Sequence, residues 1–442
     1  MLTELVVNHR QIAWLVGSQL MTGIMIAFLQ SIIRVAHMDS WFSQMIPILY
    51  AIFVSFVLMQ VVRKFPGKSL FEVIFIVCGK WVGGLINLAL LFYIWISLTI
   101  DMKGVSHFLK EGLLPRTPLG ILLIVFVLLI MSYRRLDTVV RVNEMFFPLY
   151  CIMCLSTTLL LANEYSLEWF EPIFTSRLFD IFAANYMTTG LYGDVLLIGA
   201  FLPSMSNPRL LFVSMKHGIV LAGFVITVVL LVLLGVMGYK IGGSLNYPAW
   251  ALIQEIHITD FLDRVELLLL SLWFPAFAIK VMIGYLAFMV GLSSFSKNNY
   301  YGVYSPALGS FLVGTVLLSF YNARQLQSFF SYGYTTFMWF IHIPVILILL
   351  IGAAHREEQK ADDTRSLRKR RWMARITYAS ILGSMVSVVI GKILYEWYLS
   401  PGLIISICYL TFFVIAVISS YLEMQIVSHH YHRKEKNVQH TE

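Results

Sequence analysis

The sequence predicts an all-α polytopic membrane protein, and three observations carry that prediction. Of 442 residues, 59% are hydrophobic and only 13% charged, with a mean hydropathy of +0.78. That is far from the balance of a water-soluble domain. The apolar residues gather into about twelve runs near the ~20 residues needed to cross a bilayer as helix. These runs are too continuous to alternate with the period of two that a membrane barrel requires. Finally, Lys and Arg recur in alternate connections.

The runs fall near 11–36, 41–62, 81–103, 117–133, 142–162 and 180–203. They continue at 215–239, 265–292, 306–320, 332–354, 376–398 and 402–424. The first run is too long for a signal peptide and lacks a small-residue cleavage site, so it is expected to stay as a span. One set of alternate connections carries Arg63, Lys64, Lys68 and Lys80, then Arg134, Arg135 and Arg141, then Arg209 and Lys216, then Lys297. The same side takes the basic run around Arg365–Arg375 and the tail with Arg433, Lys434 and Lys436. Opposite connections are sparse or acidic, as at Glu164, Glu168 and Glu171. The positive-inside rule then places both termini in the cytoplasm. The net charge of +8 is thus a topology signal, although Arg368–Arg371 also suits anionic headgroups. Nucleic-acid binding is not expected, because no soluble domain exists to present a groove.

The sixth run holds Thr188-Thr189-Gly190-Leu191-Tyr192-Gly193-Asp194 at mid-depth. Glycines weaken a helix by about 1 kcal/mol each relative to Ala, and a carboxylate in hydrocarbon costs several. Either the helix opens there to line a cavity, or small residues pack closely and Asp194 is paired. The first run is similarly interrupted, with Gly17, Ser18, Gln19, Thr22 and Gly23. Interruptions five spans apart favour the broken-helix reading and two inverted five-span repeats with a site between the breaks.

Between the second and third runs, Pro66-Gly67 makes a turn, and Ser69 with Glu72 forms a capping-box pattern. A short amphipathic helix is expected there; Gly67-Lys68-Ser69 lacks the earlier glycine of a phosphate-binding loop. In the third run, Tyr93, Ser97 and Asp101 lie at i, i+4 and i+8, one polar face. Tyr93 and Ser97 are deep enough to touch a ligand, whereas Asp101 is expected to snorkel or pair with Lys103. Lys280 falls near the centre of the eighth run, where a lysine costs about 3 kcal/mol unless paired. It either occupies the place of a coupling ion, carries a proton, or pairs with Asp194 or Glu144. Pro47, Pro148, Pro275 and Pro344 lie inside runs and are expected to kink them. Residues around Trp250 to Glu255 suit a lid helix, and Trp41, Trp169, Trp397 and Tyr398 an interfacial belt. Cys151 and Cys154 are expected to be small packing residues; His429, His430 and His432 suit a solvated basic end. Neither a metal nor a cofactor is expected, and no nucleophile–base constellation suggests an enzyme.

The chain resembles a known family, the spore-germination permeases that form the B subunits of bacterial endospore germinant receptors. These lie within the amino acid–polyamine–organocation superfamily. The resemblance covers roughly residues 8–354 and rests on several strings in order. They are Gln19-Leu20-Met21-Thr22-Gly23-Ile24, Phe65-Pro66-Gly67-Lys68-Ser69-Leu70-Phe71-Glu72, and Leu114-Pro115-Arg116-Thr117-Pro118-Leu119. Then come Arg141-Val142-Asn143-Glu144-Met145-Phe146-Phe147-Pro148, Gly193-Asp194-Val195-Leu196, Leu202-Pro203, and Asp263-Arg264-Val265-Glu266 with Trp273 and Lys280.

The resemblance implies a LeuT-like bundle of two inverted five-span repeats, here followed by two additional transmembrane helices. The expected division is a permease-like core at 1–354, a basic linker at 355–375, two further spans at 376–424 and a tail at 425–442. It also implies binding of a small nutrient germinant (amino acid, sugar or nucleoside) in the inner membrane of the spore. The expected partners are an A-type membrane subunit and a C-type lipoprotein. Ligand contacts are expected from Gly17, Thr22, Gly23, Tyr93, Ser97, Gly190, Tyr192, Gly193 and Trp273. Lys280, Asp194 and Glu144 are the candidates to replace or couple an ion. A proton-coupled amino acid permease is the alternative.

Overall fold

The computed structural model describes residues 7–25, 28–132, 135–166, 173–205, 207–256, 265–296, 305–358, 367–397 and 402–439. Several sequence features lie outside them: Arg134, the 167–172 segment with Glu168 and Trp169, Asp263 with Arg264, Lys297, the 359–366 part of the basic linker, and Tyr398. Among the described residues every regular element is helical. This follows from apolar runs whose backbone groups find no partner in lipid and must bond within the segment.

The helices are α1 (His9–Met21), α2 (Phe28–Ala36), α3 (Met45–Lys64), α4 (Leu70–Gly112), α5 (Leu119–Ser132), α6 (Leu136–Leu160), α7 (Leu178–Tyr192) and α8 (Pro208–Ser244). They continue with α9 (Pro248–Gln254), α10 (Val265–Ser293), α11 (Ser305–Leu318), α12 (Ala323–Ser328), α13 (Tyr334–Ala354), α14 (Arg368–Trp397) and α15 (Gly402–Gln439). Among the described residues, eight segments are long and apolar enough to cross a membrane: α3, α4, α6, α8, α10, the run Ala323–Ala354, α14 and α15. The other predicted spans are shorter or split. Helices α5 and α11 have 14 residues each. The first and sixth runs are both interrupted.

Local signals explain the boundaries. Ser69 Oγ accepts from the Glu72 N–H at 3.3 Å, and Glu72 Oε2 accepts from the Ser69 N–H at 2.9 Å. The short helix so capped turns into the third span at Gly79, whose φ of +74° suits glycine and few other residues. Ser69→Ala is expected to lower stability by about 1 kcal/mol, measured by thermal unfolding of the purified protein. Pro148, Pro275 and Pro344 lie inside helices. Pro47 instead occupies the first turn of α3, where its missing N–H has no helical acceptor to leave unfilled. Lys216, counted from sequence as a connection charge, is a fully buried residue of α8 paired with Glu423.

The expected opening of the first and sixth runs takes another form. Helix α1 passes into a 3₁₀ turn at Thr22–Met25, with Thr22 still helical at φ −70°, ψ −23°. Helix α7 passes into a 3₁₀ segment, Gly193–Ser204, of 12 residues. Runs beyond three or four residues are uncommon for this geometry. The described backbone therefore tightens at both places, and Gly17 and Gly190 remain inside regular helix. Polar side chains at these positions bond back to their own helices, as Thr22, Thr188 and Thr189 do at 2.8 Å. The two interrupted runs pack on each other at the centre of the bundle.

Candidate ion-triad site

Helices α4 and α10 and the Gly193–Ser204 segment bring three charged side chains together. Lys280 Nζ lies 2.8 Å from Asp101 Oδ1 and 3.3 Å from Asp194 Oδ2. All three are buried. The other oxygen of Asp194 accepts from Tyr93 at 3.3 Å, Ser97 at 3.3 Å and Tyr334 at 3.2 Å. The polar face of α4 thus reads, turn by turn, as one wall of the cluster. Lys280 pairs with Asp194, as one sequence alternative had it, but also with Asp101. Asp101 neither snorkels nor pairs with Lys103. Lys103 instead donates to the carbonyls of Val316, Leu317 and Ser319, closing the end of α11.

Two carboxylates share one ammonium, which leaves one negative charge uncompensated among these three side chains. Such an arrangement is stable only where hydrogen bonds serve the remaining lone pairs. The hydroxyls of Tyr93, Ser97 and Tyr334 do so for Asp194. Next to Asp101 a cavity of about 20 Å³ is lined by Gly23, Ile100, Asp101 itself, Gly104, Leu326, Gln327 and Phe330. It has room for one water or one ammonium group.

The remaining expected residues divide. Gly23 lies at the cluster: a Cβ there would stand 3.8 Å from Lys280 Nζ. Trp273 caps the turn, its indole N–H donating to the Thr22 carbonyl at 2.9 Å. Ser18 and Gln19 fasten α1 to α10 through the carbonyls of Ala276 and Lys280. Gly190 and Gly193 face α13; added Cβ atoms would stand 2.5 Å from Thr335 Oγ1 and 2.7 Å from Met338 Cγ. Three residues lie elsewhere. Gly17 abuts the Phe147 ring. Tyr192 turns its hydroxyl to Gln44 at 3.0 Å. Glu144 accepts from Gln11 at 2.9 Å rather than from Lys280. The stretch expected to form a helix from Trp250 falls in α9, with Trp250 edge-on to Phe108, which in turn packs edge-on to Trp273.

Helix α13 contributes groups that the sequence reading missed. A π-helical turn at Phe329–Gly333 precedes Tyr334, whose hydroxyl also lies 3.1 Å from that of Tyr93. Such turns often mark functional sites. One helical turn beyond Met338, His342 Nδ1 pairs with the Tyr50 hydroxyl at 2.5 Å, and its ring meets Tyr93 edge-on. The available signal was Ser331-Tyr332-Gly333-Tyr334-Thr335-Thr336, a third small and polar interruption inside an apolar run. Among the described residues, no group of three or more His, Cys, Asp or Glu is arranged to hold a metal.

Known proteins share this architecture. The transporter Mhp1, of the nucleobase-cation-symport-1 family and solved closed with bromovinylhydantoin bound, aligns with a TM-score of 0.58 at 12% identity. The match covers 96% of this chain and 93% of Mhp1. The manganese transporter of Eremococcus coleocola aligns with a TM-score of 0.56, also at 12% identity, covering 96% and 98%. Both place the chain in the LeuT fold. In sequence, YfkT of Bacillus subtilis (strain 168) is 25% identical over 300 residues, covering 67% of this chain and 82% of YfkT. Spore germination protein B2 of the same organism is 22% identical over 294 residues, covering 65% and 77%. A family model described as spore germination protein, the spore permeases, matches residues 6–328. With nearly three quarters of its length inside that match, this LeuT-fold membrane protein belongs to the spore germination permease family.

Proposed function

We propose that the chain is the ligand-sensing transmembrane subunit of a nutrient germinant receptor. It binds a small nutrient bearing a free amine, such as an amino acid, at mid-membrane. The observation that supports this reading is the Asp101–Lys280–Asp194 cluster with its cavity beside Asp101. An incoming ammonium group fits the space of one water and compensates the cluster's surplus negative charge. The Phe330 ring in the same wall suits a cation as well. Lys280 then shares Asp101 with the ligand, which weakens its hold across α4, α10 and the Gly193–Ser204 segment. Binding shifts an equilibrium between conformers, and an A-type subunit and a C-type lipoprotein read the shift in the spore inner membrane. The basic connections set the orientation, with both termini in the cytoplasm.

Calorimetric titration of the purified full chain with L-alanine and with its deaminated analogue, propionate, tests the ligand class. The amine is expected to bind and propionate not to. Asp101→Asn is expected to weaken amine binding tenfold or more, because the cavity loses its formal charge. Equal binding of both compounds, or an unaffected Asp101→Asn, sinks the proposal.

The fold shared with solved transporters favours a second reading, proton-coupled uptake of the same nutrient. Reconstituted vesicles with an imposed pH gradient separate the two. Concentrative uptake assigns transport; binding without flux assigns sensing.

A further inference from the structure

The family match ends at residue 328, and the hairpin of α14 and α15 lies wholly beyond it. It is nevertheless fastened to the core at both ends of the bundle. At the end holding the start of α1, Glu423 of α15 is fully buried and pairs with Lys216 of α8. Arg209 and Arg370 each stand 3.8 Å from its other oxygen. Ser420 bonds His217 at 3.0 Å, and Ser428 bonds His9 at 3.0 Å. At the opposite end, Lys392 of α14 donates to the Phe174 carbonyl at 3.0 Å, and Gly391 abuts the tip of the Phe174 ring.

Phe174 belongs to a segment that is itself held tightly. Asp39 is fully buried and accepts from the Phe174 and Ser176 N–H groups at 2.6 and 2.8 Å. The Phe174 ring stacks on Phe42, and Tyr409 of α15 packs edge-on against both Trp41 and Phe42. From Phe42 the contacts continue toward the ion triad. Asn185 of α7 donates to the Phe42 carbonyl at 3.2 Å and accepts from the Ile46 N–H at 3.0 Å. Tyr192, two residues before Asp194, reaches Gln44. A continuous set of packed and bonded groups therefore links the hairpin to the helix that presents Asp194.

We propose that the hairpin is a built-in restraint on α1, α8 and the 37–46 segment, and that it holds the central cluster closed. A buried carboxylate cannot slide away from its cations into lipid without a large penalty, and the Lys392 anchor stops the hairpin from pivoting about Glu423. Loosening either anchor lets the 37–46 segment and α7 move, and so lowers the nutrient concentration at which the cluster opens. The effect on ligand threshold rests on the function proposed above; the restraint itself does not.

Hydrogen–deuterium exchange on the full chain in lipid nanodiscs separates the two. Glu423→Gln and Lys392→Met are each expected to raise exchange at least fivefold in peptides covering 37–46, 173–177 and 185–194, leaving α11 unchanged. Should Glu423→Gln fail to accumulate, Lys392→Met and Tyr409→Ala decide. Exchange that rises only within the hairpin overturns the restraint. In titrations with L-alanine, both variants are expected to bind at least threefold more tightly than the wild type. Unchanged affinity in variants whose core exchange has risen overturns the link to ligand. A wild type that binds no amine overturns the proposed function while leaving the exchange result to decide the restraint.

Discussion

Lys280→Met is expected to be among the most damaging single substitutions in the chain. Methionine fills much of the volume of the lysine stem, so packing around α10 is nearly kept and the charge alone is removed. Asp101 and Asp194 are then left buried without their ammonium. Removing one partner of a buried ion pair costs about 3–5 kcal/mol, because the orphaned charge has no water to turn to. For a chain of this size the melting midpoint should fall by roughly 3–5 °C at about 1 °C per kcal/mol. Thermal unfolding of the detergent-solubilised protein measures it. The double variant Lys280→Met, Asp101→Asn should recover part of the loss, because one of the stranded carboxylates is gone. If the single variant melts within about 2 °C of the wild type, the triad does not hold these helices together. If it melts low but still binds L-alanine at wild-type affinity, the triad is structural and the ligand sits elsewhere.

The extent to which this site was legible in the sequence depends on the kind of signal. Membrane class, the capping box at Ser69 and the polar face of α4 are local patterns, and each appears where its residues stand. Lys280 and Asp194 stand out because a charge in an apolar run is expensive. Their partner choice is a tertiary matter. Asp101 has Lys103 two residues away in sequence, but successive helical positions two apart point to different sides, and only the fold brings Lys280 to it. The same limit hid Tyr334 and His342, neutral groups whose importance comes from what they face. Glu423 was equally silent. It lies near the end of an apolar run, where a carboxylate is cheap, and only the docking of α15 on α8 buries it. The glycines misled for another reason. Gly interruptions signal either open backbone or close approach, and here Gly190 and Gly193 serve close approach of α7 to α13.

Gly193→Leu is expected to abolish ligand binding through that close approach. An added Cβ would stand 2.7 Å from Met338 Cγ and 2.8 Å from the Tyr93 hydroxyl, so even alanine must push one of them aside. The hydroxyl is held by Asp194 and Tyr334, while the Met338 side chain is flexible and yields first. Overpacking of this kind costs about 1–3 kcal/mol, and a leucine must also part α13 from the start of the Gly193–Ser204 segment. That separation removes Tyr334 from Asp194 and leaves its carboxylate with fewer donors. A graded series follows: Gly193→Ala weakens binding of L-alanine, and Gly193→Leu eliminates it. Gly314→Leu, at a position with nothing within 4 Å, leaves binding unchanged. Met338→Ala should partly restore Gly193→Ala, because it returns the space that the new methyl takes. That rescue distinguishes packing from open backbone. A glycine whose main chain touched the ligand directly would gain nothing from a smaller residue on α13. Full binding in Gly193→Leu would show that the approach of α7 to α13 plays no part in holding Asp194 in place.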